Sequence, residues 1–184
     1  MKIIILLLLS IQVFGQDSVT VTNSIYTSVF DKVIREPIRI TYKLYHGGGV
    51  CKRTAMAFSN NQKFATANKK DYSHSGYDKG HLAPAEDFAF DCKKELITFQ
   101  YYNCLPQTPA LNRGIWKVWE TTIREWSQTD SLLIICGGSD FHLKGKLNVP
   151  DTCFKEVYSL STGKRLFSAK FTNTAHPQMF RKLE

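Results

Sequence analysis

All three tryptophans of the chain, Trp116, Trp119 and Trp126, fall within residues 110–126. At about 100° of turn per residue, they share one stripe with Ile115 and Ile123, so the segment predicts an amphipathic helix. A stripe of such bulk is stable only when buried against a second layer. Candidates for that layer are extended segments. Residues 38–45 alternate Ile38, Ile40, Tyr42 and Leu44 against Arg39, Thr41 and Lys43, the period of a strand with one buried face. The apolar run 132–136, closed by Gly137-Gly138, suits a central strand. Runs at 154–160 and 165–171, joined by Ser161-Thr162-Gly163-Lys164, predict a hairpin. The expected class is α+β, with a mixed, mainly antiparallel sheet.

Other stretches are read more coarsely. Residues 16–36 suggest a surface arm or edge element. Gly47-Gly48-Gly49 lacks the Lys-Ser/Thr of a phosphate loop and predicts a hairpin loop, with 51–58 as the returning strand. The polar stretch 60–75 predicts a surface loop with His74 solvated. Pro84, Glu86 and Asp87 predict short helical turns over 84–96. Residues 97–104 are rich in β-formers and predict a strand that delivers Asn103 at its end. His142 and His176 are expected in surface loops.

A chain of 184 residues supports one core, expected over 17–184. Residues 1–16 pair Lys2 with a short apolar run and small residues before Gln16, the pattern of a secretory signal peptide. The run is too short to span a bilayer, so no stable membrane association is expected. The destination is extracellular or periplasmic. There the five cysteines predict two disulfides and one free thiol, with Cys136 alternatively a buried small hydrophobe. A net charge of +8 favours polyanionic partners, nucleic acid first.

Chemistry concentrates between Tyr77 and Trp126. The tetrad Asp78-Lys79-Gly80-His81 is answered later by Asn103, Asn112, Glu120 and Arg124. Together they supply a base, an oxygen ligand for a hard cation, an orienting acid and an anion clamp, the parts phosphodiester cleavage needs. Arg53 lies nearby in sequence, either as a phosphate clamp or as an ordinary exposed strand arginine. Glu120 and Arg124 also have the spacing of a simple i,i+4 helix pair.

The strings YDKGHLAPAEDF and YYNCLPQTPALNRGIWKVWE resemble the DNA/RNA non-specific endonuclease family over residues 76–138. The resemblance implies a ββα-metal site in which His81 is the general base. Asn112 would be the direct protein ligand of Mg²⁺, for which Mn²⁺ or another divalent cation can substitute. Glu120 would orient a metal-bound water, Arg124 and Arg53 would neutralise phosphate, and Asn103 would position His81 or the scissile group. Asp78 and Gly80 would be structural support. Lys79 departs from the family's usual arginine, keeping its charge but losing the planar fork that grips phosphate through two bonds. Family members usually continue through a further helix beyond residues 176–178, which implies a shortened or missing closing element here.

The implied activity is cleavage of DNA and RNA with little sequence preference. A homo-oligomer or an inhibitor protein is compatible with the family. Alternatives are a catalytically silent nucleic-acid-binding module and a phosphodiesterase of small nucleotides.

Overall fold

A computed structural model describes residues 17–181; the predicted signal peptide lies outside them. Seven antiparallel strands form the main sheet in the order β1-β2-β3-β6-β7-β8-β9. They are β1 (Ser18–Thr22), β2 (Tyr26–Asp31), β3 (Glu36–Leu44), β6 (Leu132–Lys144), β7 (Leu147–Ser159), β8 (Arg165–Thr172) and β9 (Met179–Arg181). A two-stranded ribbon joins β4 (Asp78–His81) to β5 (Cys104–Gln107). The helices are α1 (Lys69–Tyr72), α2 (Cys92–Ile97) and α3 (Lys117–Trp126). The mixed α+β class with a mainly antiparallel sheet is as the sequence patterning predicts.

The alternation in β3 sets one face of this sheet. Ile40, Tyr42 and Leu44 are buried and stand opposite Cys136, Ile134 and Leu132 of β6. Ile38 leaves the pattern because the pairing with β2 slips between Val29 and Phe30, so Phe30 pairs with Pro37. On the inward face lie the ribbon and α3, whose Trp116 and Ile123 are buried while Ile115, Trp119 and Trp126 pack on the same core. Leu105 of the ribbon sits over Gly138, and Gln107 donates from Nε2 to Cys153 Sγ at 3.4 Å. This layering brings the end of β4 beneath the start of the tryptophan helix.

Several expectations are corrected. Residues 16–36 supply the edge strand β1, as expected of an edge element, but are not a surface arm, since β2 buries Tyr26, Ser28 and Phe30 inside the sheet. Residues 51–58 form no returning strand, because β2 and β6 already occupy both edges of β3. The glycine loop instead docks on the backbone of residues 87–89, with Val50 N and Cys51 N both donating to Ala89 O. At Gly49, φ is +144° and a Cβ would lie 2.1 Å from the Ala89 backbone, so this approach requires glycine. The 60–75 loop contains α1, capped by Asn68, and buries Tyr72. Residues 97–103 form no strand: a 3₁₀ turn at Tyr101–Asn103 carries Asn103, and β5 begins only at Cys104. His142 lies on β6 and pairs with Asp151 at 2.9 Å.

Cys51 and Cys92 form a disulfide, while Cys104, Cys136 and Cys153 are free and buried, so one bridge replaces the expected two. Each free thiol has local polar company: Cys136 Sγ donates to Leu82 O, and Cys104 lies beside the Tyr72 hydroxyl. The bridge spans a sequence separation of 41 and ties the strandless segment around Arg53 to the start of α2. Closing a loop of that length contributes roughly 3–4 kcal/mol. Replacing both cysteines by serine should therefore lower the free energy of urea unfolding by about that amount. An unchanged urea midpoint would contradict this role.

Candidate active site

His81 ends β4, and three contacts fix it there. A Cβ at Gly80 would stand 2.0 Å from Oε1 of the buried Gln107, so a larger residue in the tetrad's third position would have to displace that side chain. Beyond His81, the Asn103 side chain clamps the backbone: Oδ1 accepts from Ala83 N at 3.0 Å, and Nδ2 donates to Ala83 O and Thr98 O, both at 2.9 Å. Trp116 Nε1 donates to His81 O at 3.3 Å, linking the strand end to the helix. Asn103 is fully buried and its amide is committed to backbone. It therefore cannot touch a scissile group, and of its two expected roles only positioning of the His81 segment fits.

The His81 imidazole lies against the rings of Phe58 and Phe99, with centroids 4.7 and 4.9 Å away. Its Nε2 is shielded and has no partner among the described residues. Burial, with a smaller contribution from the Arg53 charge, lowers its pKa from 6.5 to about 3. The ring is thus neutral at physiological pH, the form a general base requires.

From the helix side, Asn112 Nδ2 donates to Asp78 Oδ2 at 3.0 Å. Arg113 grips the same carboxylate through Nε and a terminal nitrogen at 2.7 and 2.6 Å. These Arg113 bonds are the main cause of the lowered Asp78 pKa. Asp78 thus joins β4 directly to the helix start. The regular 100° count does not hold there, because Leu111–Trp116 forms a wide π-type turn with non-helical angles at Gly114. Asn112 is consequently half-exposed beside the tetrad rather than directed inward.

One turn into α3, the carboxyl of Glu120 has its pKa raised to about 7, chiefly by burial, with Lys155 the strongest opposing influence. Arg124 does not form the simple helix pair with Glu120. Its Nε donates to Asp87 Oδ1 at 2.9 Å, and Tyr42 donates its hydroxyl to Asp87 Oδ2 at 3.0 Å.

A cavity of about 500 Å³ is lined by His81, Asn112, Glu120, Arg124, Arg53 and Lys79. Asp78 and Gly80 support it from β4, and Asn103 from behind. Arg53 is not an ordinary strand arginine: it pairs with Glu86 and, at 2.8 Å, with the buried Glu95. Lys79 Nζ stands 5.4 and 5.8 Å from the ring centroids of Tyr72 and Phe58.

No group of three or more His, Cys, Asp or Glu side chains with metal-site geometry occurs among the described residues. With its nitrogen committed to Asp78, Asn112 has its carbonyl oxygen left for the cavity. A single amide oxygen suits a hard, reluctantly dehydrated ion that keeps most of its own waters.

The profile of the DNA/RNA non-specific endonuclease family matches residues 9–182. The chain belongs to that family. A nuclease from Nostoc sp. is 40% identical over 95 residues, covering 50% of this chain and 35% of that protein. Bovine mitochondrial Endonuclease G is 36% identical over 75 residues, covering 41% of this chain and 25% of its own length. The chain thus spans well under half the length of these relatives. In structure, the EndoG subunit type described in an EndoG/EndoGI complex superposes with a TM-score of 0.73 and 20% identity, covering 84% of this chain and 74% of that one. At that identity the likeness speaks for the ββα-metal nuclease fold.

Sequence reasoning missed four participants. Arg113 follows Asn112 directly and could have been found as a partner for Asp78. Glu86 and Asp87 were read only as helix-start acids, yet they hold Arg53 and Arg124. Lys155 sits within a strand pattern that gives no hint of it.

The His81 shift has a consequence for stability. Above pH 6.5 the imidazole is neutral in both folded and unfolded chains. Between pH 6.5 and about 3 the unfolded chain takes up a proton that the folded chain refuses, so stability falls with pH across that window. Urea midpoints of metal-free protein should fall less steeply on acidification in His81→Asn, which cannot titrate. An equal fall in both proteins would contradict the buried neutral imidazole.

Proposed function

We propose that the protein is a secreted or periplasmic, Mg²⁺-dependent endonuclease that hydrolyses phosphodiester bonds of DNA and RNA with little sequence preference, residues 17–184 forming its single domain. The observation that carries this reading is the convergence on one cavity of His81, Asn112, Glu120, Arg124, Arg53 and Lys79, drawn from three separate stretches of a chain in the non-specific endonuclease family.

In this reading the neutral His81 imidazole takes the proton from a water as it attacks phosphorus. Asn112 would hold the cation through its carbonyl oxygen, its amide nitrogen being fixed by Asp78. When bound, Mg²⁺ polarises the phosphate and stabilises its developing charge. Glu120, when ionised, accepts hydrogen bonds from water in the cavity and orients it. Arg124, held at Nε by Asp87, has its terminal nitrogens left for phosphate oxygens, and Arg53 and Lys79 add positive charge at the rim.

Phosphate contacts carry no base information, which accounts for the low sequence preference, and the net charge of +8 favours a polymeric anion over a small nucleotide. Export is supported by the signal-like residues 1–16 and by the Cys51–Cys92 bridge, which is suited to an oxidising compartment.

The test is digestion of plasmid DNA and total RNA by the mature protein with Mg²⁺, with chelator, and with His81→Ala. Both substrates should be cut, chelator should stop the reaction, and His81→Ala should slow it by roughly 10²–10⁴-fold. Nucleic acid that stays intact under every condition while its gel mobility shifts would establish a binding module instead.

A further inference from the structure

A second hollow, of about 500 Å³, shares no lining residue with the reaction cavity. Its lining comes from two places in the fold: Lys70, Asp71 and His74 from α1 and the turn after it, and Lys144 and Lys146 from the tip of the β6–β7 hairpin. The three lysines and His74 are exposed. Tyr77 also lines the hollow, and from there the chain runs on into Asp78 and Lys79.

Packing joins the two walls underneath. Tyr72, the last residue of α1, and Leu147, the first of β7, are buried in one apolar cluster with Cys104 and Val149, and Tyr77 packs against it. The hairpin tip is also tied to the turn before β3: Arg35 donates from a terminal nitrogen to Lys146 O at 3.1 Å, and Asn148 Nδ2 donates to Ile34 O at 2.8 Å. These contacts hold the tip beside α1 before any ligand arrives.

The positive charge of the hollow is not spent inside the protein. Asp71 is the one acidic residue lining it, and its Oδ2 already accepts from Asn68 N at 3.1 Å and from Asn68 Nδ2 at 2.7 Å. None of the three lysines forms an ion pair among the described residues. A concave surface with such an excess of one sign attracts a polyanion. Its position is equally telling. Tyr77 lines this hollow and Lys79 the reaction cavity, two residues apart, so at most about 7 Å of chain separates them. The ring of Tyr72 stands 5.4 Å from Lys79 Nζ, so α1 borders both. Phosphates recur along a nucleic-acid strand every ~3.4 Å of duplex rise. A strand with one phosphate in the reaction cavity therefore has its next few phosphates within reach of the hollow.

We propose that this hollow is a second phosphate subsite, which takes the backbone of the same nucleic-acid strand a few nucleotides from the bond being cut. The proposal rests on the nuclease reading for its place on the substrate. Lys70, Lys144 and Lys146 bind the flanking phosphates, and no base is read. None of them lines the reaction cavity, so the subsite serves capture of the strand and not the chemical step. It favours a polymer over a small nucleotide, which has no flanking phosphate to place there.

The test compares two triple variants of the mature protein. One is Lys70→Gln/Lys144→Gln/Lys146→Gln; the control, Lys43→Gln/Lys164→Gln/Lys170→Gln, removes as much charge from exposed lysines elsewhere. Binding of a fluorescent single-stranded DNA oligonucleotide is followed by anisotropy in chelator across a salt series. The first variant should bind roughly tenfold or more weakly at about 0.1 M salt, with the log–log salt slope reduced by roughly two, and the control should stay near wild type. On plasmid with Mg²⁺, the first variant should show a raised KM and an unchanged kcat. Equal loss of binding in both variants overturns the subsite, as does a fall in kcat with KM unmoved. A wild type with no affinity for the oligonucleotide overturns it as well. A wild type that binds through these lysines and cuts nothing defeats the nuclease reading alone, since binding is read without cleavage.

Discussion

The carboxylate of Asp78 is the junction on which the site depends. It is the point where the β4–β5 ribbon is bonded to the helix start, through one bond from Asn112 and two from Arg113. Charge-assisted bonds of this kind are both stronger and more directional than neutral ones. Two consequences follow from that geometry. The His81 end of β4 is held at a fixed distance from the helix, and the Asn112 amide is turned so that its oxygen is the end left for the cavity. Without this junction, the strand and the helix would be connected mainly by Trp116 Nε1 on the His81 carbonyl.

A second layer of charge backs the arginines of the cavity. Asp87 holds Arg124, Glu86 and Glu95 hold Arg53, and Lys155 rises from the sheet to the face of the Trp116 ring. Arg53 and Arg124 thereby lose rotameric freedom before any ligand arrives, which is how a site is preorganised for an anionic transition state. The disulfide belongs to the same scheme, because it fixes the segment that carries Arg53 where no strand pairing is available.

Much of this was legible in the residues. The tryptophan stripe located the buried helix, the alternation from Ile38 to Leu44 gave β3, and the tetrad with Asn112, Glu120 and Arg124 gave the cavity. What failed did so for physical reasons. Residues 51–58 look like a returning strand until β2 and β6 are seen to flank β3. A helical wheel cannot anticipate the irregular turn at Gly114, which sets the bearing of Asn112. Asn103 read as chemistry because its amide suits either a substrate or a backbone clamp, and only the fold decides. Lys155 is invisible to patterning, since periodicity assigns its position to the apolar core.

The measurement that tests the account most directly is the Mg²⁺ dependence of plasmid cleavage in Asp78→Asn, a change that preserves shape while removing the charge that holds Arg113 and orients Asn112. The Mg²⁺ concentration for half-maximal activity should rise roughly tenfold or more, as for loss of a group that orients a ligand from behind. An unchanged Mg²⁺ requirement in a folded, active variant would contradict the claim that this carboxylate builds the site.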